Sequence, residues 1–296
     1  MRASRRQLLL EASRAAPACA WDCRCRYSLD VGRFVERVRG RVRQSAPDDA
    51  ARVFVERSRQ VGFLRVCAAL ALRWVMSTTD ANALCGTGEM HIFSTEQAAQ
   101  WILGQPSDTT CTRLSSLLDV GAGDGAITAR LAPLFESVTT TEVSEPMVAR
   151  LQSLGYECVP TCDPRSLVKD GALRRFSCIS LLNVLDRCDE PLTLLTTLRD
   201  MLNDDGCLIL AVVLPFKPGV EDGTGWRQPR QSLPGDVHDG TIEIAANALV
   251  VDVLEPMGYE VDVITRLPYM SFSISLAHDV AFLNNVIFIC RRAIQR

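Results

Sequence analysis

A glycine-rich turn between acidic residues is the part of the sequence best suited to hold a ligand. Residues 117–125 read LLDVGAGDG, an apolar run that ends among glycines. This pattern predicts a buried strand, a tight turn and the start of a helix. In an open parallel sheet, ligands bind at such strand ends. We therefore expect Asp119, Gly121 and Gly123 to contact a cofactor.

The charges around this turn distinguish two classes of cofactor. A dinucleotide would place an anionic pyrophosphate against the turn, where Asp119 and Asp124 would repel it. S-adenosylmethionine brings a sulfonium and an amino group, which these acids would attract. Glu142 ends the next predicted strand, where a carboxylate accepts hydrogen bonds from ribose hydroxyls. S-adenosylmethionine is favoured, but the glycine spacing also fits the dinucleotide fingerprint, and a turn without any cofactor stays open.

The elements that must position these residues follow from the apolar periodicity after residue 104. Strand-like runs alternate with helical ones, which predicts an α/β fold with a mostly parallel sheet covered by helices on both faces. No helix separates the last two strands, so we expect an antiparallel end to the sheet. The strand-like runs are 114–120, 138–143, 176–182, 207–214, 259–265 and 280–290, and the helical ones are 126–135, 145–154, 191–202 and 242–257.

The front of the chain has helical periodicity. Apolar residues recur at helical spacing within 31–76 and predict two or three helices. A further helix with a capping box is expected to start at Ser94 and to run to Leu103. We predict three regions: a basic, disordered tail at 1–30, a helical extension packed on the main domain at 31–104, and the cofactor-binding domain at 105–296.

Composition and charge narrow the class of protein. Of the 296 residues, 47% are apolar and 23% charged, as in ordinary globular proteins. Residues 1–76 hold sixteen arginines against seven acids, a net charge of +9, so the rest of the chain, whose total is -3, carries -12. An acidic cofactor-binding domain argues against nucleic acid as partner. The apolar stretch 61–76 is too short and too charged for a confident membrane span.

The cysteines and the N-terminus bear on the compartment. Twelve cysteines are scattered along the chain, which fits a reducing environment better than a disulfide framework. Cys19, Cys23 and Cys25 cluster without a fourth ligand, so we predict no metal site. Residues 1–21 resemble a transit peptide, yet Glu11 interrupts them. We expect an intracellular protein, with cytoplasm, mitochondrion and endoplasmic reticulum left open, as is its oligomeric state.

Several stretches together resemble the protein-histidine methyltransferase family called DREV, or methyltransferase-like protein nine. The runs LNVLDRCDEPLTLL and TRLPY are far more specific than the glycine turn, and all stretches stand in the family's order. The resemblance covers roughly residues 55–290. It rests on 88–94 (GEMHIFS), 117–125, 141–147 (TEVSEPM), 181–195 (LLNVLDRCDEPLTLL), 212–221 (VVLPFKPGVE) and 265–269 (TRLPY).

The resemblance implies a fold, a reaction and site residues. The fold would be the Rossmann-like class I methyltransferase fold with seven strands, and methyl would pass from S-adenosylmethionine to the pros nitrogen (Nδ1) of histidine. The substrates would be proteins with His-x-His tracts, x being a small residue. On the matching positions, Glu142, Asn183 and Tyr269 would contact the cofactor and Asp186 the substrate histidine. A methyltransferase acting on a small molecule or another side chain is the alternative.

Two departures from the family pattern bear on substrate preference. The family's tail is rich in tyrosine before the last strand, whereas 271–282 offers Phe272 and Phe282 as its aromatic residues. The early glycine loop reads GTGE at 86–89. Two rivals from other classes also remain: a nicotinamide-binding reductase, and a cofactor-free module that binds partners through its arginine-rich front.

Each predicted site residue also has a plain structural explanation. Asp186 could be an acid at a helix start, since negative charge there is favourable. Asn183 could be a turn residue, and Tyr269 a core aromatic. The three histidines lack metal-ligand spacing, which favours structural or surface roles. The stretch 215–234, rich in proline and glycine, predicts a long loop over the site.

Overall fold

A computed structural model describes most of the chain. It covers residues 28–46, 48–58, 63–72, 74–76, 78–104, 113–221, 225–275 and 278–293. The predicted tail up to residue 27, with its three clustered cysteines, lies outside the described residues. Within them the α-helices are α1 (Glu36–Arg39), α2 (Asp49–Ser58), α3 (Phe63–Leu72), α4 (Thr78–Cys85), α5 (Thr95–Leu103), α6 (Thr128–Leu131), α7 (Glu145–Ser153), α8 (Pro191–Asp200) and α9 (Ile242–Ala248).

The strands of the described chain form one large sheet and two short ribbons. The large sheet contains β1 (Met90–His91), β2 (Leu114–Val120), β3 (Phe135–Glu142), β4 (Glu157–Pro160), β7 (Phe176–Leu182), β8 (Leu202–Val213), β11 (Tyr259–Ser275) and β12 (His278–Arg292). The ribbons pair β5 (Val168–Lys169) with β6 (Ala172–Leu173), and β9 (Val220–Glu221) with β10 (Trp226–Arg227).

The large sheet has the order β1-β11-β12-β8-β7-β2-β3-β4. Neighbours from β8 to β4 run parallel, whereas β12 is antiparallel to both β8 and β11. This confirms the predicted mostly parallel sheet of seven strands with an antiparallel end; β1 adds a two-residue edge. The sequence reading missed β4, because four residues are too few to show a period.

Both faces of the sheet are buried. Leu117 and Leu118 are neighbours on β2, so their side chains point to opposite faces, and both are 0% exposed. One face packs on α8, α9 and the N-terminal segment, and the other on α5 and α6. Two apolar layers therefore enclose β2 and fix the position of the glycine turn that follows it.

The N-terminal segment is tied to the sheet beside β11. The Ile264 N–H donates to the Arg41 carbonyl (2.9 Å), and the Arg43 N–H donates to the Ile264 carbonyl (2.8 Å). Leu29 and Phe34 are buried in the core cluster on this face. Because β1 also pairs with β11, residues before 104 complete the sheet edge; the division of the chain into three regions stays a prediction.

Several boundaries differ from the predicted ones. The predicted helix 126–135 is the single turn α6 followed by a 3₁₀ turn, Ala132–Leu134, because Pro133 supplies no N–H for a continued α-helix. The predicted helix 242–257 continues after α9 as a π-helix, Leu249–Leu254. β11 extends ten residues beyond its predicted end through its pairing with β12. Among the described helices, none is long and apolar enough to cross a bilayer.

Candidate active site

The predicted site residues meet at the carboxyl end of the parallel strands. The Gly123 N–H, in the turn after β2, donates to Oε2 of Glu142 at the end of β3 (2.9 Å). The turn after β7 lies against the glycine loop, since a Cβ added at Gly121 would meet the Val184 side chain. Asp124 and Asp186 both act electrostatically on Tyr269 of β11. The fold thus brings all seven predicted residues to one edge.

The glycine loop is a tight turn that excludes side chains. Gly121 and Gly123 have φ angles of 68° and 58°, which are costly for residues with a Cβ. The N–H groups of Gly121 and Ala122 both donate to the Thr141 carbonyl, at 2.9 and 3.0 Å. At Gly121 a Cβ would lie 2.7 Å from Cγ2 of Val184. Backbone alone therefore forms this part of the site, and a ligand can approach it closely.

Asp119, near the end of β2, fixes the start of the glycine loop through hydrogen bonds. Its side chain is 2% exposed and accepts hydrogen bonds from the hydroxyls of Thr128 (2.6 Å) and Ser180 (2.7 Å). Burial raises the pKa of Asp119 to about 6, against the two hydroxyl donors, and the charge of Glu142 raises it further. Both carboxylate oxygens are engaged, so Asp119 ties the strand to the following helix and lends its charge to the loop.

Glu142 is held just as firmly. Its Oε1 accepts from the N–H groups of Val143 (2.7 Å) and Ser144 (3.0 Å), and its Oε2 accepts from Gly123. The Ser144 hydroxyl contacts a carboxylate oxygen of Asp80 at 2.5 Å, which links α4 to the same edge. A carboxylate has about four acceptor sites, so this fixed group can accept a further hydrogen bond from a ligand.

Asn183 differs from these acids in having an unused side chain. Its φ is 56°, a left-handed conformation that asparagine tolerates better than most residues. Its N–H donates to the Ala211 carbonyl (2.8 Å). Both amide atoms are buried and make no hydrogen bond to any described residue. Leaving such a group unpaired is costly, which points to a ligand as its partner.

Asp186 also has an unused oxygen. It lies in the 3₁₀ turn Leu185–Arg187, and its Oδ1 is buried without a hydrogen-bond partner in the described part of the chain. Burial raises the pKa of Asp186, and the charge of Arg187 opposes that rise. The Asp186 carbonyl accepts from the Gly219 N–H (2.8 Å). A cleft of about 470 Å³ adjoins it, lined by Asp186, Arg187, Lys217, Pro218, Gly219, Trp226, Arg227 and Gln228.

Tyr269 reaches the glycine loop through a methionine. Its hydroxyl hydrogen-bonds to the sulfur of Met90, and the Met90 methyl lies 3.7 Å from where a Cβ of Gly123 would be. Burial raises the pKa of Tyr269 to about 12, so the phenol stays neutral and keeps its proton. Met90 therefore belongs to the site; nothing in its type or spacing singled it out.

The histidines take no part in this edge as far as the structure describes them. His91 is 2% exposed and packs on Phe54 with tilted rings whose centroids are 5.6 Å apart; burial and the charge of Arg130 lower its pKa to about 4. The two ring nitrogens of His238 lie 3.2 Å from the carbonyl oxygens of Phe216 and Leu233, and the protonated nitrogen donates to the carbonyl that it faces. The side chain of His278 lies outside the described residues. No group of three His, Cys, Asp or Glu side chains in the described ranges is placed to hold a metal ion.

Two partners of Asp119 were also missed. Ser180 is a polar residue in the buried, otherwise apolar part of β7. Because buried hydroxyls have hydrogen-bond partners, the sequence alone could have indicated a buried partner for Ser180. Thr128 starts α6 and is fully buried, but its sequence context resembles that of any helix start.

Comparison with protein families assigns the chain. The family model described as DREV methyltransferase matches residues 27–292. The chain belongs to the DREV methyltransferase family. This confirms the resemblance, the class I methyltransferase fold, methyl transfer as the reaction and S-adenosylmethionine as the cofactor.

Solved structures give a weaker likeness to this DREV methyltransferase. The DhpI complex with SAH is 14% identical with a TM-score of 0.43, over 81% of this chain and 98% of that one. An S-adenosylmethionine-dependent methyltransferase from Clostridium acetobutylicum gives 11% and 0.41, over 78% and 98%. The 1,6-didemethyltoxoflavin-N1-methyltransferase of Burkholderia thailandensis gives 16% and 0.43, over 85% and 92%. Likeness at this level says nothing about the group that this chain methylates.

The residues at the edge fit S-adenosylmethionine. Asp119, Asp124 and Glu142 lie around the glycine turn, and their negative charges suit a cationic ligand and oppose a pyrophosphate. The unpaired amide of Asn183 offers both a donor and an acceptor. The predicted dinucleotide alternative is thus disfavoured by the charges of the site itself.

Proposed function

We propose that this DREV methyltransferase methylates the pros nitrogen, Nδ1, of histidine in protein segments with His-x-His tracts. The observation that carries the proposal is the buried oxygen of Asp186, which accepts no hydrogen bond from any described group and belongs to a residue that lines a cleft. The specific run LNVLDRCDEPLTLL, which contains Asp186, supports it.

A carboxylate in this place suits a histidine substrate. Neutral imidazole has one N–H and one bare nitrogen. Asp186 would accept the Nε2–H, and so hold the tautomer in which Nδ1 is bare. Its negative charge would also stabilise the positive charge that grows on the ring during methylation. The burial that raises the pKa of Asp186 also keeps water from competing for its free oxygen.

The remaining site residues would hold the cofactor. Bound S-adenosylmethionine supplies a methyl group on a positively charged sulfur. Glu142 would accept hydrogen bonds from ribose hydroxyls, and the backbone at Gly121 and Gly123 would form the wall beneath. Asn183 would pair its amide with the cofactor, and Tyr269 would close the site with Met90. Asp119 would act through the loop that it fixes.

A peptide assay tests the proposal. Purified enzyme is given S-adenosylmethionine and peptides with a His-Ala-His core, or with one or both histidines replaced by alanine. We expect methylation that requires histidine and falls when the tract is broken. Equal methylation of the histidine-free peptide would show another side chain as target, and no methylation of any peptide would favour a small-molecule substrate.

A further inference from the structure

The cleft beside Asp186 is lined by positively charged side chains that have no role in the proposed methylation of histidine. Besides Asp186, its charged lining residues are Arg187, Lys217 and Arg227. Arg227 forms an ion pair with Asp189 (2.7 Å). Arg187 and Lys217 form no ion pair with any carboxylate in the described ranges. The cleft therefore presents two cations without an ion-pair partner in the described ranges. Arg187 also acts electrostatically on Asp186, so the charge of Lys217 is the one left for a bound molecule.

An exposed indole stands over the same space. Trp226 is 63% exposed, which is high for so large an apolar side chain. The guanidinium of Arg187 lies 5.9 Å from the centre of its ring, an arrangement that holds the cation in place by cation–π attraction. Trp226 also contacts Gly219, where an added Cβ would lie 3.0 Å from the ring. Exposed aromatic residues and arginines of this kind are enriched where proteins bind other chains.

This wall is anchored to the candidate active site. The Gly219 N–H donates to the Asp186 carbonyl, so the segment with Lys217 is pinned to the turn that carries the proposed histidine contact. A peptide whose histidine reached Asp186 would place its neighbouring residues along Arg187, Lys217 and Trp226. The chain has two lysines, Lys169 and Lys217, and Lys217 stands in this cleft.

We infer that the cleft binds an acidic residue, aspartate or glutamate, next to the target histidine, and so selects His-x-His tracts with acidic flanks. This inference rests on the proposed histidine function, since it names the flanking residues of the same substrate. Lys217 would pair with the carboxylate, and Trp226 would pack on the peptide backbone beside it.

The test compares charge preference in matched variants. Peptides with a His-Ala-His core carry aspartate, asparagine or lysine beside the tract, and kcat/KM is measured for each with the wild type, Lys217→Gln, Lys217→Glu and the control Lys169→Gln. We expect the wild type and the control to prefer aspartate over asparagine by about two- to fivefold, as for exposed ion pairs. Lys217→Gln should lose part of this preference, and Lys217→Glu should shift it towards lysine. Equal rates on all three peptides in the wild type, or an unchanged preference in Lys217→Glu, would overturn the inference.

A binding measurement separates this inference from the proposed function. Affinity of the same labelled peptides is measured by fluorescence anisotropy in the presence of S-adenosylhomocysteine. Charge-ordered binding that depends on Lys217, without methylation of histidine, would refute the histidine proposal and support the cleft. Methylation of histidine at rates and affinities independent of flanking charge would support the proposal and refute the cleft.

Discussion

The two halves of the candidate site differ in how their polar groups are satisfied. On the side of β2 and β3, every carboxylate oxygen of Asp119 and Glu142 accepts at least one hydrogen bond from the protein. On the side of β7, Asn183 and Asp186 bury atoms that make no hydrogen bond within the described chain. The acids on the β2 and β3 side are fixed in place by the protein, whereas the polar groups on the β7 side still need a partner, which a ligand can supply.

The two sides suit different ligands. A carboxylate locked by backbone N–H groups keeps its place whether or not a ligand is present, so it suits a cofactor shared by many methyltransferases. A buried polar atom without a partner gains most when a matching group arrives, and discriminates against ligands that lack it. Substrate recognition is therefore expected at Asp186 on the β7 side, next to Asn183, whose free amide is expected to complete the cofactor site.

The largest effect is expected at Asp186. Asp186→Asn keeps the shape but removes the charge and turns an acceptor into an N–H₂ donor. Methylation of His-Ala-His peptides should fall by about 10²–10⁴-fold, as for positioned groups in proton chemistry, with S-adenosylmethionine affinity and Tm almost unchanged. The matched control Asp189→Asn, an acid three residues on that pairs with arginines, should cost less than about tenfold. Similar losses in both variants would make Asp186 an ordinary helix-start acid.

On the β2 and β3 side, Asp119 should make the free energy of unfolding depend on pH. In the folded state the pKa of Asp119 is raised to about 6 from the ordinary aspartate value of 3.8, so the folded state binds the proton more tightly than the unfolded state does. The contribution of this carboxyl to stability should be greatest at pH 4 and below, fall by about 3 kcal/mol as the pH rises from about 4 to 6, and change little above pH 6. Asp119→Asn cannot ionise and should lack this fall. Urea unfolding from pH 4 to 7 gives the difference between the two proteins, and parallel curves would contradict the buried, ionisable carboxyl.

Glu142 should affect cofactor affinity. Glu142→Ala removes the expected ribose acceptor and the partner of three N–H groups. Binding of S-adenosylmethionine should weaken by about 1.5–3 kcal/mol, or roughly 10–150-fold, as for hydrogen bonds to charged groups. Calorimetry measures the change, with Glu145→Ala, an exposed acid three residues on, as the control. Unchanged affinity in a folded Glu142→Ala protein would refute the assignment.

The smallest effect is expected at Asn183, and it needs a variant that respects the backbone. Asn183→Gly keeps the positive φ available and removes the amide. Affinity for S-adenosylmethionine should fall by about two- to twelvefold, the value of one neutral hydrogen bond. Thermal unfolding should show little loss, because the removed atoms have no partner among the described residues. A large loss of stability with unchanged affinity would mean that the amide serves the fold.

Much of the fold could be predicted from the sequence because the spacing of apolar residues in those helices and strands matches the faces that are buried. The strands at 114–120 and 176–182 were predicted with their observed bounds, since their apolar runs end abruptly in glycines or in Asn183. The capping box at Ser94 was predicted and is present with both its hydrogen bonds. In contrast, the four-residue β4 and the π-helical continuation of α9 depend on tertiary packing, which leaves no local period.

The site could be predicted in part for a similar reason. Residues at strand ends gather because the sheet is parallel, so their meeting follows from topology. Topology does not predict which polar atoms have hydrogen-bond partners within the protein. The two partners of Asp119, for example, are Thr128 of α6 and Ser180 of β7. Met90 reaches the glycine loop from an edge strand whose two residues carry no sequence pattern. The cleft formed by Arg187, Lys217 and Trp226 likewise requires the three-dimensional path of a long loop.

The position of the methyl group on the product ring reports which nitrogen Asp186 holds. A His-Ala-His peptide is methylated to completion, hydrolysed, and its methylhistidine isomers are separated by chromatography and identified by mass spectrometry. If Asp186 holds the Nε2–H, the product is the pros isomer, with methyl on Nδ1. The tele isomer, with methyl on Nε2, would show that no carboxylate occupies that nitrogen and would refute the proposed role of Asp186.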